Sequence, residues 1–148
     1  MFGERSLNLA TALDHFTAVR DATADLPPSR ALTVALAGRA MVLRVMGRTA
    51  EAADDARRSL ALAREIGDPP GEVQALAELS FEAHYAGDHD EAARLARQAG
   101  RITAGIPGRL ARGCSSVLTI MLAGAGDLAE AARADAAGLA RARDAGDL

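Results

Sequence analysis

The chain writes nearly the same phrase twice. "AGDHDEAARLARQAG" starts at Ala86 and "AGDLAEAARADAAG" at Ala125, and a looser copy, "MGRTAEAADDARRS", starts at Met46. The three copies begin 40 and 39 residues apart. A fixed period of this length means that each unit is one supersecondary element that buries its apolar face only by stacking on its neighbours.

Aligning the copies on Gly47, Gly87 and Gly126 shows what each unit is made of. An apolar helical segment precedes each glycine, over 30–46, 72–86 and 108–125, and an amphipathic alanine-rich segment follows, over 48–66, 88–104 and 127–145. In the following segments alanines recur as Ala52, Ala53 and Ala56, as Ala92, Ala93 and Ala96, and as Ala131, Ala132 and Ala136. That is a narrow stripe of small side chains at helical spacing, which lets two helices approach closely. Each glycine supplies the left-handed conformation that ends a helix, and Asp88 or Asp127 is placed to cap the next. Glu91 and Glu130, three residues further on, complete a capping-box spacing. Prolines in "LPPSR" at 26–30 and "GDPPGE" at 67–72 mark longer loops between pairs, since proline cannot continue a helix.

Composition agrees with an all-α chain. Alanine supplies 36 of the 148 residues, there is no Trp, and Phe and Tyr together number four. Alanine is the strongest helix former, whereas strands draw on β-branched and aromatic residues. The expected architecture is an antiparallel helix-pair solenoid of about seven helices with no sheet. A lone helix over 4–24 precedes pairs at 30–66, 72–104 and 108–145, all in one domain over 1–148. The lone helix and the final "AGDL" read as cut ends, so a fragment of a longer protein is expected, with a homodimer through open solenoid ends as one outcome.

Charge excludes several functions. The net charge is −3, and every basic residue is Arg. Opposite charges alternate along helical segments, as in Asp54 with Arg58 and Asp90 with Arg94, which describes solvated faces and not a duplex-binding patch. Paired carboxylates such as Asp54 and Asp55 are read as facing water. No apolar run approaches the ~20 residues of a membrane span, and no signal peptide opens the chain, so the expected location is cytoplasmic.

Catalytic and cofactor signals are weak. No phosphate-binding loop occurs, and "GAGDLAE" at 124–130 reads as a turn between helices. His15, His84 and His89 fall on three different segments, and Asp88 and Asp90 beside His89 are explained by helix capping, so no metal site and no cofactor are expected. Cys114 lies in an apolar run, where a free cysteine is a small buried hydrophobe.

The pattern of small residue, Gly and Ala resembles the tetratricopeptide repeat in a lengthened form. It runs through Leu36, Ala40, Gly47 and Ala52, and again through Leu76, Ser80, Gly87, Ala92 and Ala99. The chain departs from the strict pattern in lacking an aromatic at the start of the first helix and a proline at the end of each unit. "SLALAREIGDPPGEVQAL" and the Ala86 phrase are similar to the helical-repeat region of large actinobacterial LuxR-type transcription regulators, which carry an ATPase and a helix-turn-helix. The resemblance implies a non-catalytic scaffold that binds a protein or peptide partner, or a small effector, without touching nucleic acid itself. The alternative is a stand-alone adaptor unrelated to transcription.

In such a pair the first helix lines the concave face, and the glycine register gives its exposed positions. They are Gln74, Ala77, Phe81, His84 and Tyr85 in the central unit, Val34, Ala37, Met41, Arg44 and Val45 before it, and Gly113, Ser116, Ile120 and Ala123 after it. Met41, Arg44, Gln74, Phe81, His84, Tyr85 and Ile120 are the candidate groove residues, because aromatics, Met and Arg are enriched where proteins meet. Phe81 and Tyr85 have a second reading, as packing between adjacent repeats.

Overall fold

The computed structural model describes residues 2–104 and 109–144. Seven helices run through them: α1 (Phe2–Thr23), α2 (Arg30–Val45), α3 (Thr49–Ile66), α4 (Pro69–Tyr85), α5 (His89–Thr103), α6 (Arg109–Gly124) and α7 (Leu128–Asp144). No strand occurs among the described residues. The chain divides into two compact units within α4, between Glu78 and Leu79.

The repeated glycines act through one motif. Gly47, Gly67, Gly87 and Gly126 all have φ between +64° and +85°. At Gly87 the amide donates to the His84 carbonyl (3.0 Å) and the Asp88 amide to the Ala83 carbonyl (2.9 Å). This pair of bonds closes the helix end and reverses the chain. The same pair recurs at Gly126 with Asp127, at Gly47 with Arg48 and at Gly67 with Asp68. Asp88 and Asp127 then cap the following helices, accepting from the Glu91 and Glu130 amides at 3.1 Å. Their glutamates do not reach back as a capping box would have them. The Glu91 carboxylate is held by Arg94 and that of Glu130 by Arg97. In the loosest copy Arg48 stands where aspartate stands in the other two, and its side chain makes no cap.

One boundary differs materially from the sequence reading. Helix α4 begins at Pro69 and not at 72, so the connection from α3 is only Gly67 and Asp68. Proline is favoured at the first helical position, where its missing N–H costs nothing. The expected end of the third pair at 145 lies outside the described residues, as does the "GIPG" stretch at 105–108.

In the first unit α1 packs on α2 and α2 on α3. The core is Leu32, Leu36, Ala40 and Leu43 of α2, Ala52, Ala53, Ala56 and Ala63 of α3, and Val73 and Leu76 of α4. Helix α1 seats Phe16 on Gly38, where any Cβ would lie 2.4 Å from the ring. Two polar links fix the register. The buried Ser59 hydroxyl donates to the Thr33 carbonyl (3.0 Å), and Arg39 joins Thr17 of α1 (3.1 Å) to Asp55 of α3. Asp55 is therefore not the water-facing carboxylate expected from sequence. It is buried and neutralised by Arg39, while its neighbour Asp54 is exposed and pairs with Arg57. The expected i,i+4 pairs are replaced by i,i+3 pairs, Arg57 with Asp54 and Arg94 with Glu91.

In the second unit α5 packs on α6 and α6 on α7. Its core gathers Ala92, Ala93, Leu95, Ala96 and Ala99 of α5, Met121 and Leu122 of α6, and Ala131 and Ala142 of α7. Small residues permit close approach, as at Gly138, where a Cβ would stand 2.9 Å from the Ser115 Cβ. Arg97 reaches from α5 to the start of α7, binding Glu130 (2.6 Å) and Asp127 (3.3 Å). Among the described residues no buried side-chain nitrogen or oxygen lacks a partner.

Candidate interaction surface on the first helices

The positions that define the repeat are buried throughout. Leu36, Ala40 and Ala52 in one copy, and Leu76, Ser80, Ala92 and Ala99 in the next, are all under 7% exposed. Committing these faces inward leaves the opposite face of each first helix to the solvent. Large apolar residues are exposed there: Val34, Met41 and Val45 on α2, Tyr85 on α4 and Ile120 on α6. Helices α3 and α5 expose no large apolar residue.

In the first unit Met41 is 44% exposed, and Gln74 is exposed near the start of α4. Arg44 is different. Its guanidinium donates to Glu78 at 2.7 Å, and both side chains are largely withdrawn from water, at 16% and 14% exposure. Arg44 thus ties α2 to α4. The sequence reading missed Glu78 because it stands 34 residues away, beyond any local spacing rule. Ala37, expected in the groove, is buried at 5%.

In the second unit Phe81, His84 and Tyr85 form one contiguous ring cluster. Phe81 and Tyr85 stack with centroids 6.3 Å apart, and His84 meets Tyr85 edge-on at 5.8 Å. Phe81 and His84 are half-buried, whereas Tyr85 is 62% exposed. Ile120 is 50% exposed on α6. His84 also touches His89 of the next segment, across the Gly87 turn.

The other candidate chemistry is structural. Cys114 is buried, and burial pushes its thiol above the ordinary cysteine range, against a weaker hydrogen bond with Thr103. A thiol kept protonated is a poor nucleophile. No group of three or more His, Cys, Asp or Glu side chains converges as a metal site among the described residues. Among the same residues no helix is long and apolar enough to cross a membrane.

Helix pairs closed by glycine turns, with small residues at their seams, define a helical-repeat module. The family model described as tetratricopeptide repeat matches residues 30–103, half of the chain. The chain belongs to the tetratricopeptide repeat family, whose repeats are non-catalytic scaffolds that generally mediate protein–protein interaction. No curated protein matches the chain.

Proposed function

We propose that this chain is a scaffold that binds a protein or peptide through the exposed faces of its first helices. Met41, Gln74, Phe81, His84, Tyr85 and Ile120 are the contact positions. The observation that carries this reading is that, among helices α2 to α6, exposed large apolar side chains stand on the first helices α2, α4 and α6 and not on α3 and α5. Aromatic and methionine side chains offer large contact area in such surfaces. Arg44 enters this reading as the residue that holds α2 and α4 together, since Glu78 occupies its guanidinium. The likeness of the repeat phrases to those of LuxR-type regulators supports a place in a cytoplasmic transcriptional regulator, where a partner or small effector would act on the repeats. A stand-alone adaptor that self-associates is the second reading, favoured by Leu128 and Leu139 of α7, which are 68% and 43% exposed.

The test selects peptides from a displayed random library on the immobilised chain. Tyr85→Ala and Met41→Ala should each weaken the selected peptides while leaving the melting temperature nearly unchanged, because exposed substitutions stay within about 0.5 kcal/mol. Peptides that bind both variants as tightly as the parent would overturn the assignment. An ATPase and a helix-turn-helix encoded in the same reading frame would establish the regulator, and their absence would favour the adaptor.

A further inference from the structure

The turn between α4 and α5 brings together two histidines. His84 lies in the last turn of α4 and His89 opens α5. On a continuous helix a five-residue separation places side chains far apart around the axis, at ~100° per residue. Here the Gly87 turn reverses the chain, and the two Nδ1 atoms come within 3.2 Å, with ring centroids 4.9 Å apart. That distance is a hydrogen bond between one protonated and one bare nitrogen. It is also the separation of two nitrogens bound to one ion, since metal–nitrogen bonds of ~2.0–2.1 Å at a tetrahedral angle hold their ligands about 3.3 Å apart.

A second feature points to the same place. Gly124, the last residue of α6, faces this pair. A Cβ built on Gly124 would lie 3.0 Å from His84 Cε1, 3.2 Å from His84 Nδ1 and 3.6 Å from His89 Nδ1. The absence of a side chain leaves room beside the two nitrogens. The rings are also positioned from behind: His84 rests edge-on against Tyr85, and its carbonyl is fixed by the Gly87 amide. His89 is exposed, so the site opens to solvent.

We propose that His84 and His89, converging across the Gly87 turn beside Gly124, form a two-histidine site for a divalent transition-metal ion. Imidazole pairs select zinc, copper or nickel over magnesium or calcium, which prefer oxygen. The ion replaces the imidazole hydrogen bond, both rings then carry their proton on Nε2, and water completes the coordination. The site shares His84 with the interaction surface, but neither ligand needs a bound peptide.

The chain carries its own reporter, because Tyr85 is the only Tyr and there is no Trp. Copper(II) added to the untagged full chain should quench the tyrosine emission, saturating at one ion per chain. Calorimetry with zinc should give the same stoichiometry. His89→Ala should weaken both by at least ~10-fold, the lower end of what disturbing even the groups behind a metal ligand costs. His84→Ala should do the same, and Gly124→Ala should weaken binding by crowding the rings, whereas His15→Ala on α1 should bind like wild type. Zinc calorimetry on the chain without peptide reads the site independently of any defect in peptide recognition. His89 is exposed, so its removal should leave the helical circular dichroism intact. A His89→Ala chain that binds zinc as tightly as wild type, or a wild-type chain that binds no tighter than the His84→Ala/His89→Ala double variant, overturns the proposal.

Discussion

Helices α5 and α7 open with nearly the same phrase yet bury different amounts of themselves. Gly87 and Gly126 make the same turn, Asp88 and Asp127 the same cap, and Ala92 and Ala131 are both buried. One position further on the likeness ends. Ala93 is 1% exposed, packed with Leu122 and Ala131, whereas its counterpart Ala132 is exposed. Beyond it α5 presents Leu95, Ala96 and Ala99 to the core, where α7 has Ala134, Asp135 and Gly138. The shared letters therefore specify the turn and the seam within a pair. Burial on the next face is decided by what packs there, and an alanine reads the same in either setting.

The largest effect should separate Ala93 from Ala132. Ala93→Leu forces three carbons into the Leu122 and Ala131 cluster and should cost ~1–3 kcal/mol by overpacking. Ala132→Leu should stay within about 0.5 kcal/mol. Ala92→Leu and Ala131→Leu, at the position buried in both helices, should each behave like Ala93→Leu. Denaturant midpoints that fall together for 93 and 132 would break the comparison.

The caps sharpen it next. Asp88→Ala removes one acceptor from the start of α5 and should cost about 1 kcal/mol. Asp127→Ala removes the same cap from α7 and also one anchor of Arg97, so its loss should be the larger. Equal losses in thermal melts would mean that the Arg97 contact contributes nothing.

These contrasts show where the sequence was readable. The turns at Gly47, Gly87 and Gly126 were legible because a glycine between two helical stretches has one cheap solution at a helix end, whereas the same turn at Gly67 was masked by the prolines that follow it. The second-helix seams of α3 and α5 were legible from alanine at helical spacing, but in α7 only Ala131 of the expected Ala131, Ala132 and Ala136 is buried. The candidate site was legible in part. Exposure of Met41, Tyr85 and Ile120 follows from the register alone, since each sits opposite a buried seam. What failed were side chains whose partners come from another element. Arg44 has the composition of a binding residue but is claimed by Glu78, and Asp55 looks solvated beside Asp54 but is claimed by Arg39. His84 and His89 fell on separate helices and so looked unrelated, although the turn between them makes them neighbours. In each case the chain's path, and not a local spacing, chooses the partner.

The smallest effect tests a charge link that sets α7 apart from α5. Glu91 pairs with Arg94 inside α5, whereas Glu130 pairs with Arg97 of the neighbouring helix. Both carboxyls are held below the ordinary glutamate range, chiefly by the arginine hydrogen bond. A carboxyl with a depressed pKa stabilises the fold above its unfolded value and loses that contribution as pH falls through the folded value. Both pairs are substantially exposed, so solvent screening keeps each contribution to ~0.2–1 kcal/mol. Glu130→Gln should therefore lower stability slightly at neutral pH, and the gap to wild type should close as the pH drops below the ordinary glutamate range, ~4.3. Glu91→Gln should show the same sign but a smaller gap, because an i,i+3 pair within one helix holds no second element. Raising the salt should shrink both gaps. A Glu130 gap that stays constant from neutral to acidic pH would show that the side chain acts through packing and not through charge. An equal gap for Glu91 would mean that bridging two helices adds nothing to what an intrahelical pair already supplies.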